Sequence, residues 1–159
     1  MSQLSGLLIA VAILLLLRRI GGRARIIWVN ERPPAGMTRK LGHNVSVAGI
    51  SQPEQQAAAV QFLSDESTAC SLSLERDPHN EFDRNAIKVI GSWSDRKGIA
   101  HTARLGWVPR DVAAEIASKA RDGPLGACLQ GYYPPRLWRS VGLRIDLSTT
   151  TTRSHKPRA

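Results

Sequence analysis

The chain predicts an α+β fold: a small OB-like antiparallel β-barrel of five or six strands with two α-helices, preceded by one N-terminal transmembrane helix. Three observations carry that expectation. An uncharged apolar run opens the chain. Beyond residue 44, short alternating stretches are separated by turn-forming clusters. Two further stretches have helical spacing, one with a start signal and one with a stop signal.

The opening run is Leu4 to Leu17, LSGLLIAVAILLLL. The 17 residues from Met1 carry no charge. As a helix they would span about 25 Å, near the lower limit for a bilayer core of about 30 Å. Arg18 and Arg19 extend the reach by snorkelling to the interface. The positive charge follows the run and Gly21–Arg25 makes a poor cleavage site, so an uncleaved anchor is favoured over a cleaved signal peptide or a buried helix. The positive-inside rule then places the globular domain in the cytoplasm, as part of a single-pass membrane protein. Residues 1–20 are the expected anchor and 21–43 a basic juxtamembrane linker. Within that linker Ile26–Val29 is read as interfacial, with Trp28 at headgroup level. Pro33-Pro34, Gly36 and Gly42 break any apolar period.

The expected domain covers 44–148. Asn44–Ile50 alternates as a first strand. Ser51 and Glu54 have the spacing of a capping box, which opens a helix running to about Leu63 with Ala57, Val60 and Leu63 inward. Thr68–Leu74 reads as a strand with Cys70, Leu72 and Leu74 on one face. Asp77–Asp83 is turn-rich. Asn85–Ile90 is a strand, Gly91–Gly98 a polar loop, and Arg104–Val108 a short strand that ends at Pro109. Asp111–Ala120 is an Ala-rich helix with Val112, Ile116 and Ala120 inward, stopped by Gly123-Pro124. Leu125–Tyr132 and Val141–Leu147 close the set. Residues 149–159 lack core residues other than the last Ala and read as a disordered tail.

Charge follows the same partition. The formal net charge is +9 over 159 residues. Arg18–His43 contributes +6 and the tail +3, while 44–148 holds twelve basic and twelve acidic residues. The excess therefore flanks the domain, where it suits anionic headgroups. Two cysteines, Cys70 and Cys128, exclude a disulfide-dense scaffold and match no zinc spacing; both read as free thiols.

One segment carries chemistry. Leu74–Val89 reads LERDPHNEFDRNAIKV, and Leu105–Arg110 reads LGWVPR. Asp77-Pro78 and Asn80 favour a tight turn, since Asp and Asn bond their own backbone and Pro fixes φ. Phe82 sits among polar residues, either plugging a barrel end or offering a stacking face. A nucleobase stacked on such a ring gains about 1–3 kcal/mol. Asp83 repels phosphate but can accept from a sugar hydroxyl. Asn80, Asp83 and Asn85 also have a plain reading as turn formers. Trp107 is equally placed for the core, and Arg110 for covering a rim. Glu75, Asp77, Glu81 and Asp83 lack the loop order a calcium site needs, so no metal is expected. The four histidines show no paired nucleophile, and neither a nucleophile elbow nor a phosphate loop is present. No cofactor and no catalytic activity are expected.

Those two motifs, with Val45–Ile50 and the closing VGLRIDL of 141–147, resemble the HIRAN domain family over about 44–148. The resemblance implies an OB-like barrel that grips the 3′-hydroxyl end of single-stranded DNA. It carries the family's loop aromatic and Asp onto Phe82 and Asp83 and the preceding Asn onto Asn80. It also carries the ring before the second helix onto Trp107 and the basic residue at that helix's start onto Arg110. Ser51 and Gln52 stand where that pocket has a basic and an aromatic residue, and Phe82 lacks a tyrosine's hydroxyl. The expected function is a non-catalytic, membrane-tethered module that binds nucleic acid, single-stranded DNA or DNA ends foremost. Phe82 and Trp107 would stack bases, Arg84 and Arg110 would meet phosphate, and Asp83 would accept a hydroxyl. The alternative is a scaffold that docks a protein partner at the cytoplasmic membrane face.

Overall fold

Ile87, Val89, Gly91 and Trp93 alternate inward along a single strand, with half-buried residues between them. That period of two recurs across a seven-stranded antiparallel sheet in a computed structural model, which describes residues 25–64, 70–135 and 140–150. The elements are β1 (Ile27–Trp28), β2 (Arg39–Ser46), α1 (Pro53–Ser64), β3 (Ser71–Arg76), β4 (Ile87–Ser94), β5 (Ala100–Trp107), α2 (Arg110–Lys119), β6 (Leu125–Tyr133) and β7 (Gly142–Thr149). The strand order is β2-β7-β6-β3-β4-β5, and β1 pairs with β6. The fold is thus α+β with two helices among the described residues, as expected.

The expected closed barrel is corrected to an open sheet. The edges β2 and β5 share no ladder. They approach only where the chain leaves β2: Ala48 and Trp107 exchange backbone hydrogen bonds of 2.8 and 2.9 Å. Gly49 then turns with φ +71°, a left-handed conformation that suits glycine, and the chain leaves for α1 before a second pair can form. Gly106 permits this single approach. A Cβ there would collide with the Ala48 carbonyl and lie 2.6 Å from Val47 Cγ1.

Several boundaries differ from the expectation. Gly91–Ser94 is strand, not loop. A side chain at Gly91 would meet Leu105 and Phe62 at 2.7 and 2.9 Å, so the glycine marks close packing, not a turn. Trp93 beyond it is buried and packs edge-on against Phe62, ring centroids 6.0 Å apart. On α1 the buried positions are Gln55, Ala59 and Phe62; Ala57 is exposed, while Val60 and Leu63 are only partly buried. On α2 they are Ala113 and Ile116. One core unites both helices with β3 to β7, its centre being Ile87, Leu105, Leu143, Ile145 and Leu147.

The stretch expected as a linker supplies strands. β1 pairs Ile27 with Tyr132 and Trp28 with Gly131. The strap continues past the strand: Glu31 bonds Leu129 through backbone and carboxylate alike, at 3.0 and 2.9 Å. β2 begins at Arg39, five residues before the expected strand, and pairs with β7 through two irregularities in register. At the second irregularity Asn44 takes φ +53° and donates its N–H to Asp146 Oδ1 at 2.7 Å. Lys40 and His43 reach the same carboxylate at 3.0 and 2.8 Å. Burial alone would raise the Asp146 carboxyl, but these donors outweigh it and hold it below its ordinary value. Thr149, expected to open the tail, ends β7 and is buried.

No helix among the described residues is long and apolar enough to cross a membrane. The expected anchor, residues 1–20, lies outside the described residues, as does the tail beyond Thr150.

Candidate functional site

The loop between β3 and β4 is built by its own side chains. Asn80 Oδ1 accepts the N–H groups of Phe82 and Asp83 at 3.0 and 3.1 Å. Asp83 Oδ1 accepts from Asn85 N–H at 2.9 Å, and the Asp83 carbonyl accepts from Ala86 N–H at 2.9 Å. These are Asx turns, in which a short carboxylate or amide takes the place of a backbone acceptor. The turn formers Asn80 and Asp83 thus aim the residue between them. Phe82 is thrown outward and is 83% exposed, an unusual place for a phenyl ring.

α2 fixes the loop from the other side. Arg110, its first residue, donates from Nη2 to the Phe82 carbonyl at 2.7 Å. Its Nε lies 3.7 Å from Asp83 Oδ2. The arginine side chain is 72% exposed while the aspartate is only 17% exposed, so the pair sits at a rim with the carboxylate tucked under it.

Between loop and sheet runs an apolar groove of about 370 Å³. It is lined by Ala48, Ala86 and Val108 together with Asn80, Phe82, Asp83, Trp107 and Arg110. Five of the six site residues expected from the sequence therefore converge on one groove, although Leu74–Val89 and Leu105–Arg110 are separate in the chain. The sixth, Arg84, does not line it; it occupies the turn position between Asp83 and Asn85.

Trp107 is half-buried, with a share in both of its readings. Its backbone makes the pair with Ala48, and its ring takes the Arg104 guanidinium at 5.1 Å from the centroid. A bulge brings these two together. Val89 pairs with Gly106 and Ile90 with Arg104, so Leu105 is the extra residue on β5. Arg104, Ala48, Ala86 and Val108 were absent from the sequence-based set. Ala48 and Ala86 carry no chemical signal, and the bulge that recruits Arg104 is written in the pairing, not in the residue types.

Electrostatically the groove is near balance, since Arg110 faces Asp83. Beside it, Lys88 is the register partner of Trp107. A hydrogen bond to Glu75 raises the Lys88 amine above its ordinary value; burial opposes this and Asp77 adds to it. The ammonium lies 3.3 Å from Glu75 and 3.4 Å from Asp77. Two of the carboxylates weighed as metal ligands are thus engaged with a lysine. Among the described residues, no group of three or more His, Cys, Asp or Glu is placed to hold a metal ion. Cys70 is half-buried and Cys128 buried. Burial raises the Cys128 thiol above its ordinary value, which disfavours the reactive thiolate.

Fold and site define an α+β domain with an apolar, aromatic-walled groove rimmed by an ion pair. Comparison with protein-family models, curated proteins and solved structures finds no match to this chain.

Proposed function

We propose that the groove receives an unstacked base of single-stranded nucleic acid, DNA or a DNA end foremost, and that the chain is a non-catalytic binding module. The observation that carries this reading is the outward ring of Phe82 on the same apolar groove as Trp107. Two aromatic rings in a lining of alanine and valine suit a flat π-surface, and every base has one. Asp83 keeps an oxygen toward Arg110 and offers an acceptor for a sugar hydroxyl, in keeping with the HIRAN resemblance of Asn80, Phe82, Asp83, Trp107 and Arg110. The reading is that residues 1–20 tether this module to the membrane with the domain on the cytoplasmic side. The β1 strap leaves few residues between tether and sheet, and so holds the domain close to the bilayer surface.

A second reading has its own support. The Arg110–Asp83 pair leaves the groove nearly neutral, which fits an apolar peptide side chain from a protein partner. Titration of the full chain in detergent micelles with fluorescein-labelled single-stranded oligonucleotides separates the two. Saturable binding at low salt supports the nucleic-acid reading. Its absence, with capture of a protein partner from nuclease-treated membranes, supports the scaffold.

A further inference from the structure

Two basic residues of the N-terminal stretch lie at one end of the sheet, paired with the end of β7. Arg39 and Thr149 are register partners, as are Lys40 and Ser148. Arg39 and Lys40 belong to the N-terminal basic stretch, while Arg153, Lys156 and Arg158 follow Thr149 in the tail.

A polar cleft of about 410 Å³ opens at this end, and Arg39, Lys119, Arg121, Asp122 and Thr150 are among its lining residues. Three cations stand against one acid in its wall, with Glu115 paired to Lys119 from outside it. α2 ends here, and the bare carbonyls of a helix C-terminus ordinarily repel an anion. In this fold the carbonyls at and just beyond its end accept side-chain donors. Arg39 donates to the Lys119 carbonyl at 3.5 Å. Arg76 donates to those of Ala120 and Gly123 at 2.5 and 3.4 Å. Thr149, buried under the turn, donates to the Pro124 carbonyl at 2.6 Å. The carbonyls of Lys119, Ala120 and the turn that follows are thereby taken by donors from within the fold, and Arg121 is left on the cleft wall.

Position favours one kind of polyanion. The cleft lies at the Leu125 end of β6, and β1 pairs at the Gly131–Tyr132 end. Six residues of strand separate them, about 20 Å. The cleft is therefore remote from β1, the strand nearest the expected tether, and is reached from solution more readily than from lipid headgroups.

We infer that this cleft is a phosphate-backbone site, a second contact for the nucleic acid whose base the groove receives. The inference rests on the nucleic-acid reading of that groove. The two sites divide the labour: the neutral groove stacks, and Arg39, Lys119 and Arg121 neutralise phosphates. Salt dependence separates them, because each neutralised phosphate on a single strand adds about −0.7 to the slope of log K against log salt.

The test uses the full chain in detergent micelles, a labelled single-stranded oligonucleotide and a salt series. Wild type is expected to show a slope of about −2, and the Arg39→Ala/Arg121→Ala double variant a slope shallower by about 1.4. Phe82→Ala is expected to weaken binding with the slope kept. A double variant with the wild-type slope overturns the cleft while leaving the groove standing. A wild type that binds no oligonucleotide overturns both. Should the double variant fail to fold, the exposed single change Arg121→Gln is expected to make the slope shallower by about 0.7, and an unchanged slope there overturns the cleft equally.

Discussion

The Arg110 guanidinium donates to the Phe82 carbonyl at 2.7 Å while its Nε stands 3.7 Å from the Asp83 carboxylate. The cation at the start of α2 therefore braces the loop that presents the ring. Arg110, which the sequence offers as a phosphate contact, is also engaged with the backbone of its neighbour in the groove.

Arg110→Ala removes that brace and leaves the Asx turns to hold the loop alone. Amide exchange at Phe82 to Ala86 is expected to quicken, with oligonucleotide affinity lower by about 0.5–1.5 kcal/mol, roughly two- to tenfold. Hydrogen exchange by mass spectrometry reads the loop directly. Unchanged protection would mean that the turns suffice without Arg110.

Gly106→Ala tests the one contact between the sheet's outer edges. The new methyl collides with the Ala48 carbonyl and Val47, and backbone cannot give way as a flexible side chain can. A loss of about 1–3 kcal/mol is expected in urea unfolding. The groove should fail with it, since Ala48 and Trp107 both line it.

Asp146→Asn tests the anchoring of β2. The carboxylate takes the Asn44 N–H, Lys40 and His43, and its removal is expected to cost about 1.5–3 kcal/mol at neutral pH. The sign of the pH dependence follows from the lowered folded-state value. The group's contribution is present above its ordinary 3.8 and is lost as pH falls through the still lower folded value. The gap between wild type and variant should therefore begin to close only as pH falls below 3.8 and vanish below the lowered folded value. Urea midpoints measured across that range check this, and a gap that stays constant would show the charge to be irrelevant.

Trp107→Phe keeps a ring in the groove but loses the indole face against which Arg104 packs. A small effect on folding is expected, within about 1.5 kcal/mol for a conservative apolar change. Base stacking should weaken more than stability does, as compared by titration and thermal melting of the same samples.

The loop was the most legible part of the chain. Asn80 and Asp83 announce their turns because their side chains act within three residues, and such local chemistry is visible in a string. The convergence of Phe82 with Trp107 and Arg110 was approached through paired motifs rather than through any physical period. Elements that depend on distant partners were hidden. β1 and the early part of β2 look like linker because Pro and Gly surround them; they are strand only because β6 and β7 offer free edges. Gly91 looks like a loop residue until Leu105 and Phe62 are seen to fill the space a side chain would need. The same holds for the α1 face: Gln55, Ala59 and Phe62 are buried where the helix packs on β4 and β5, a choice of face that periodicity leaves free.

Phe82 gives the most direct measurement. At 83% exposure its removal should leave stability within about 0.5 kcal/mol of wild type, so binding can be read without a folding defect. Fluorescence anisotropy of a labelled single-stranded oligonucleotide is expected to show affinity for Phe82→Ala lower by about 1–3 kcal/mol, roughly five- to 150-fold. Equal affinity for wild type and variant would contradict a base-stacking groove.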